Sequence, residues 1–78
     1  MPHISVKMLE GRSEEQKDRL AEALKETLVD VLHTEEKYVS VAIEDFTAEE
    51  WQKVFKEEIT DKPDTLKIKP SYDPKSLL

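Results

Sequence analysis

The sequence of 78 residues contains no cysteine, only two histidines and a single glycine. Without cysteine the chain forms neither a disulfide nor a thiolate metal site. His3 and His33 are too few for an ordinary zinc site, and no cluster with metal-ligand spacing surrounds them. A glycine-rich phosphate loop, a nucleotide fingerprint and a Ser/His/Asp arrangement are also missing. We therefore expect a function that uses no metal and no cofactor.

Long apolar runs and an excess of positive charge are absent as well. No apolar stretch approaches the length of a membrane-spanning helix. The amino terminus has no basic segment followed by an apolar run, so no signal peptide is expected. A cytoplasmic location is the default expectation. The twelve basic and eighteen acidic side chains give a net charge of −6. This charge argues against non-specific binding to nucleic acid or to an anionic membrane.

The first half of the chain has a clear local pattern. Residues 3–9 alternate between polar and apolar, which predicts a strand with one buried face. Gly11 then indicates a turn that needs a positive φ or a close backbone approach. Ser13 and Gln16 have the spacing of a capping box, so a helix is expected to begin here. An apolar stripe at helical spacing carries that helix to about His33.

The second half predicts a strand, a short helix and an irregular tail. The β-branched segment Tyr38–Ile43 is expected to be a strand. Thr47 and Glu50 fit a second capping box, which begins a helix that ends near Ile59. Pro63–Leu78 holds three of the four prolines and is expected to be a short edge strand or an extended arm.

Strand, long helix and strand predict an α/β fold, a β-α-β subunit with two parallel strands and a second short helix. We expect one domain over residues 1–78, with a body over 1–59 and a C-terminal arm over 60–78. Two parallel strands with one covering helix do not make an independently stable sheet. A homodimer that joins two such sheets is the minimum prediction.

Pro2 and Arg12 are the candidates for chemistry. Once Met1 is removed, Pro2 is a secondary amine at the start of a strand, and α-amino groups titrate at about 7.7–8.0. Desolvation would lower that pKa further. The alternative is that Met-Pro is a commonplace start without a role. Arg12 either binds a carboxylate through its fork of donors or forms a structural salt bridge, and the sequence leaves both open.

The chain resembles the 4-oxalocrotonate tautomerase family over about residues 2–59. The resemblance rests on the proline after the initiator methionine, on residues 9–17 (LEGRSEEQK), and on Val39–Ile43 followed by an acid and Trp51. Residues 67–72 of the tail (KIKPSY) are similar to a subgroup that forms dimers, with the hexamer of other members as the alternative.

This resemblance implies that Pro2 acts as general base and acid, moving a proton between an enol oxygen and a carbon. The substrates would be small keto or enol carboxylates, namely 2-hydroxydienoates or enols of 2-keto acids. Arg12 would bind the substrate carboxylate, often from a neighbouring subunit. Trp51 would be an aromatic wall that keeps the Pro2 nitrogen poorly solvated.

Ser40 departs from the family pattern, because better-known members carry a second arginine at this position. Serine donates one hydrogen bond and brings no charge, which favours a monocarboxylate such as an aryl or alkyl enolpyruvate. Desolvation by Trp51 and Phe46 then becomes the larger effect on the pKa of Pro2. His3 is expected to be a plain strand residue.

Two other functions stay open. Relatives of this fold carry out hydration-type dehalogenation or decarboxylation, although those reactions recruit extra arginines and this chain has two. The second alternative is that the chain is a non-catalytic dimeric binding module. A retained Met1 would favour the binding module, because the nitrogen of Pro2 would then be a tertiary amide without a basic lone pair.

Overall fold

The computed structural model describes all 78 residues and contains two parallel strands and two α-helices. The four main elements are β1 (His3–Leu9), α1 (Glu14–Leu32), β2 (Ser40–Phe46) and α2 (Ala48–Phe55). Short 3₁₀ turns cover Glu36–Tyr38 and Pro74–Leu77, and a π-helical turn covers Lys56–Thr60. β1 and β2 form a parallel two-stranded sheet, and α1 connects the two strands. The predicted β-α-β fold is therefore confirmed.

Local capping fixes where α1 begins and ends. The Gln16 amide donates to the Ser13 hydroxyl at 3.1 Å, and the Ser13 amide donates to the Gln16 side chain at 3.0 Å, which completes the predicted capping box. His33 ends the helix in a left-handed conformation with φ of 54°. Gly11 has φ of 122°, so the predicted need for glycine in this turn is confirmed.

The predicted bounds of the second strand are wrong by two residues at its start and three at its end. Tyr38 belongs to a 3₁₀ turn, in which its amide donates to the Glu35 carbonyl at 3.1 Å. Pairing with β1 then runs from His3 opposite Ser40 to Leu9 opposite Phe46. The partner strand sets the length of β2, and this overrides the low strand propensity of its two acidic residues.

The second capping box is confirmed, since the Glu50 amide donates to the Thr47 hydroxyl at 3.1 Å. α2 ends at Phe55, and the π-helical turn that follows reaches Thr60, close to the predicted end at Ile59. The two helices lie on opposite faces of the sheet, because α2 lies beside Glu44 and Phe46 and successive side chains of a strand alternate between its faces. α1 covers the face that holds Val41 and Ile43.

Of the two alternatives expected for the tail, a short edge strand or an extended arm, the edge strand is wrong. Residues after Thr60 form no strand, and the chain instead returns to α2, where the Gln52 side-chain amide donates to the Pro74 carbonyl at 2.8 Å. Leu66 is half-buried whereas Ile68 is 86% exposed, so the alternation in the sequence does not mark a buried strand face. The tail is an arm that folds back.

The core of a single chain is small. Val54 is the only buried residue, and the chain exposes 6131 Å². A compact monomer of 9.1 kDa exposes about 4,900 Å² by the usual scaling with mass. The excess of about 1,200 Å² is larger than the roughly 800 Å² that each partner buries in a standard interface. No helix in the fold has both the length and the apolar character needed to cross a membrane.

Candidate active site

A cleft of about 350 Å³ lies at the C-terminal end of β1. It brings together two of the residues singled out in the sequence, Arg12 and Trp51. The walls are mostly apolar and include no carboxylate. The lining residues are Lys7, Met8, Leu9, Arg12, Trp51, Tyr72 and Leu77.

Arg12 takes part in no ion pair, although the chain has eighteen acidic residues. One guanidinium nitrogen donates to the Leu9 carbonyl at 3.2 Å. This bond ties the side chain to the end of β1 and leaves the other N–H donors without a partner in the chain. The structural salt bridge considered from the sequence is therefore not formed.

Lys7 is the second cation of the cleft, and an acid already balances its charge. Its ammonium group lies 2.9 Å from the Glu44 carboxylate, its neighbour across the sheet. The same group lies 5.6 Å from the centre of the Phe46 ring. Arg12 is thus the uncompensated positive charge of the cleft.

Two aromatic side chains, Trp51 and Tyr72, form the aromatic wall of the cleft that Arg12 also lines. The Trp51 and Phe46 rings are 6.3 Å apart and tilted by 59°. The Trp51 indole N–H donates to the Tyr72 hydroxyl at 2.8 Å. Tyr72 also meets the Phe55 ring edge-on, with 5.4 Å between centroids. Contacts of this kind hold aromatic walls in defined positions.

Pro2 and Ser40 lie together at the other end of the sheet. The Ser40 amide donates to the Pro2 carbonyl at 3.3 Å. His3 Nδ1 and the Ser40 hydroxyl are 2.6 Å apart. Pro2 is half-buried, whereas Met1 is 98% exposed. Two of the candidate site residues, Pro2 and Ser40, are therefore neighbours in the fold.

Pro2 and Arg12 do not meet within one chain. The seven residues of β1 separate them, and a strand of that length spans roughly 23 Å. Trp51 lies with Arg12, at the far end from Pro2 in the same chain. One chain thus presents two halves of a candidate site.

Sequence reasoning missed three residues near these halves. His3 pairs with Ser40 because the two are opposite in the strand register, which the sequence alone did not give. Tyr72 and Leu77 reach the cleft from the tail. No periodic pattern marks either tail residue, and only the aromatic character of Tyr72 was a signal.

The clearly shifted pKa values lie on ion pairs away from the cleft. The Lys17 ammonium donates hydrogen bonds to the Asp45 and Glu14 carboxylates, and these bonds raise the pKa of Lys17, which joins α1 to β2. The Lys25 ammonium 2.6 Å away lowers the pKa of Glu36. These pairs hold α1 against its neighbours and take no part in the candidate site.

Comparison with known proteins decides the family. A family model described as tautomerase enzyme matches residues 2–61. The chain belongs to the tautomerase family. Among the relatives, a probable tautomerase of Xylella fastidiosa is 42% identical over 73 residues, which is 92% of this chain and 89% of that protein. Tautomerase PptA of Cronobacter sakazakii is 39% identical over 75 residues, covering 94% and 99% of the two chains.

Solved structures of this tautomerase family share the fold. TomN, a 4-oxalocrotonate tautomerase homologue of the tomaymycin biosynthetic pathway, is 38% identical with a TM-score of 0.62, over 64% of this chain and 77% of its own. An unfused 4-oxalocrotonate tautomerase without ligand is 36% identical with the same score, over 64% and 82%. The predicted family is confirmed, and a general tautomerase activity follows from membership.

Proposed function

We propose that this protein is a cofactor-independent tautomerase of 2-keto acid enols or 2-hydroxydienoates. It moves a proton between the enol oxygen and a carbon, with the Pro2 nitrogen as general base and acid. The observation that carries the proposal is Arg12, an arginine without an acidic partner in an apolar cleft. Such an arginine suits a substrate carboxylate, because its planar fork donates two parallel hydrogen bonds.

The rest of the cleft supports a monocarboxylate substrate. Lys7 is paired with Glu44, so Arg12 alone offers a free positive charge there. Ser40, beside Pro2, contributes a hydroxyl and no charge. The aromatic wall would accommodate the aryl or alkyl group of an enolpyruvate by apolar contact. A second carboxylate would find no matching cation.

The open edge of β1 supports a homodimer in which each subunit completes the site of the other. The hydrogen-bond ladder between β1 and β2 begins where the Ser40 amide donates to the Pro2 carbonyl. It ends where the Glu10 amide donates to the Phe46 carbonyl. In a parallel pair, alternate residues face the neighbouring strand. Pro2 and Glu10 bond to β2, so the backbone groups of the even-numbered residues face β2. Those of the odd-numbered residues of β1 therefore face outward, at the open edge.

Antiparallel pairing of two such edges would bring Pro2 of one subunit to the C-terminal end of the partner's β1. That end carries the cleft with Arg12 and Trp51. The excess exposed area of about 1,200 Å² is enough for such an interface. Further association of dimers into a hexamer is the alternative assembly.

The proposed reaction needs one group that gives and takes a proton. Arg12 holds the carboxylate of the enol while the neutral Pro2 amine accepts the hydroxyl proton. The carbonyl forms as the C=C electron pair takes a proton from the Pro2 ammonium, which restores the amine. The aromatic wall limits water around the nitrogen, and desolvation favours its neutral form.

Ketonisation of phenylenolpyruvate, followed by ultraviolet absorbance, tests the proposal. General acid–base catalysis contributes about 10²–10⁴-fold, so the Pro2→Ala protein should lose most of the acceleration. Pro63→Ala, which changes an exposed proline of the tail, is the matched control and should keep full activity. The mass of the intact protein checks that Met1 has been removed. Equal rates for the Pro2→Ala and unmodified proteins would exclude Pro2 as the base, and a native protein that retains Met1 would favour the binding module.

A further inference from the structure

The tail is fastened to α2 at the cleft, although it lies beyond the part of the chain that the family model covers. Tyr72 accepts a hydrogen bond from the Trp51 indole at 2.8 Å across 21 residues of sequence. Its ring meets Phe55 edge-on. The Gln52 side chain holds the Pro74 carbonyl at 2.8 Å. Three contacts thus keep Tyr72 beside Trp51.

The direction of the Trp51 bond determines what the Tyr72 hydroxyl can do. An indole N–H is a donor only, so the tyrosine oxygen must be the acceptor. The proton of the hydroxyl is then free for another acceptor. Trp51 is the only hydrogen-bond partner of that hydroxyl in the chain. Accepting one bond polarises a hydroxyl and strengthens its own donation.

The cleft that Tyr72 lines has no acidic side chain in its walls. Tyr72 and Arg12 line the same cleft. Tyr72 is 43% exposed and so is not enclosed by the rest of the chain. A guanidinium and a spare O–H donor on one apolar cleft make a complementary site for an anion with an attached apolar group.

We infer that Tyr72 is a substrate-binding residue whose hydroxyl donates to the carboxylate that Arg12 holds, with Trp51 as the residue that positions it. The inference rests on the proposed function for the identity of the ligand as an aryl carboxylate. It assigns the tail a role in choosing substrates, since Tyr72 and Leu77 belong to the wall and lie outside the family model.

Binding of trans-cinnamate, an unreactive aryl carboxylate, tests the inference without catalysis. Trp51 is the only tryptophan, and its fluorescence reports on the wall of the cleft. Tyr72→Phe keeps the ring and removes the hydroxyl. Losing a hydrogen bond to a charged group should raise the Kd for cinnamate about tenfold. The KM for phenylenolpyruvate should rise by a similar factor while kcat stays within about twofold.

Two comparisons separate donation by Tyr72 from a general loosening of the tail. Tyr38→Phe removes the other tyrosine hydroxyl of the chain, and its cinnamate Kd should stay unchanged. Cinnamyl alcohol has the same ring without the charge, so Tyr72→Phe should weaken its binding less than that of cinnamate. A loosened wall would weaken both ligands equally.

Unchanged cinnamate binding by the Tyr72→Phe protein, or equal losses for the two ligands, would overturn the inference. Its failure is distinguishable from that of the proposed function. If the Pro2→Ala protein loses activity while Tyr72→Phe binds cinnamate normally, the tautomerase proposal stands and the role of Tyr72 falls. If Tyr72→Phe weakens cinnamate and Pro2 proves dispensable, the carboxylate site stands and the proposed base falls.

Discussion

Mixed dimers offer a direct measurement of whether two subunits share each site, because Pro2 and Arg12 lie at opposite ends of β1. Pro2→Ala and Arg12→Ala proteins should each be nearly inactive alone. For Arg12→Ala, the loss of a bidentate bond to a carboxylate should lower kcat/KM by about 10²-fold. The two proteins together should be active, because each subunit supplies what the other lacks.

The recovered activity follows from the two-fold symmetry of a dimer. Random exchange of equal amounts makes about half of the dimers heterodimers, each with one intact site and one doubly mutated site. The mixture should therefore reach about one quarter of the unmodified activity per subunit. If Pro2 and Arg12 acted within one chain, no intact site would form and no activity would return.

Phenylenolpyruvate ketonisation, measured after subunit exchange, gives the activity of the mixture. Native mass spectrometry gives the fraction of heterodimers in the same sample. The decisive comparison is with the average of the two pure proteins. If the mixture contains heterodimers but its activity stays at that average, the shared site is refuted. The placement of Arg12 opposite the partner's Pro2 would then be refuted as well.

Two further predictions concern association and pH. Ser5→Pro removes an N–H on the open edge of β1 in each subunit and leaves the partner's carbonyl unpaired. The dissociation constant of the dimer should therefore rise about a thousandfold, which corresponds to about 4 kcal/mol. Ser5→Ala keeps that N–H and should associate normally in sedimentation equilibrium; equal association of both variants would contradict pairing at this edge. Lys25 lowers the pKa of Glu36 in the folded state. The pair should therefore stabilise the protein above about pH 4.3, the reference pKa of glutamate. This stabilisation should be lost as the pH falls through the lowered pKa of the folded state. Urea unfolding of Glu36→Gln should accordingly differ from the unmodified protein at neutral pH in low salt and converge with it in acid, whereas a difference that persists in acid would point to packing.

Local features of the sequence determined the elements of this fold. The capping boxes at Ser13 and Thr47 were predictable because each joins residues three apart, and such bonds form without help from the rest of the chain. Gly11 was predictable for the same reason, since its positive φ is a property of one residue. The family resemblance, which comparison confirmed, also depended on local runs of residues.

Tertiary structure decided the bounds of β2, the course of the tail and the surroundings of Arg12. β2 ends at Phe46 because β1 offers partners that far, whatever the strand propensity of its own residues. Tyr72 meets Trp51 across 21 residues, and no pattern within either segment encodes that contact. Whether Arg12 would pair with an acid depended on which of eighteen acids came near, which is a question of packing and not of spacing.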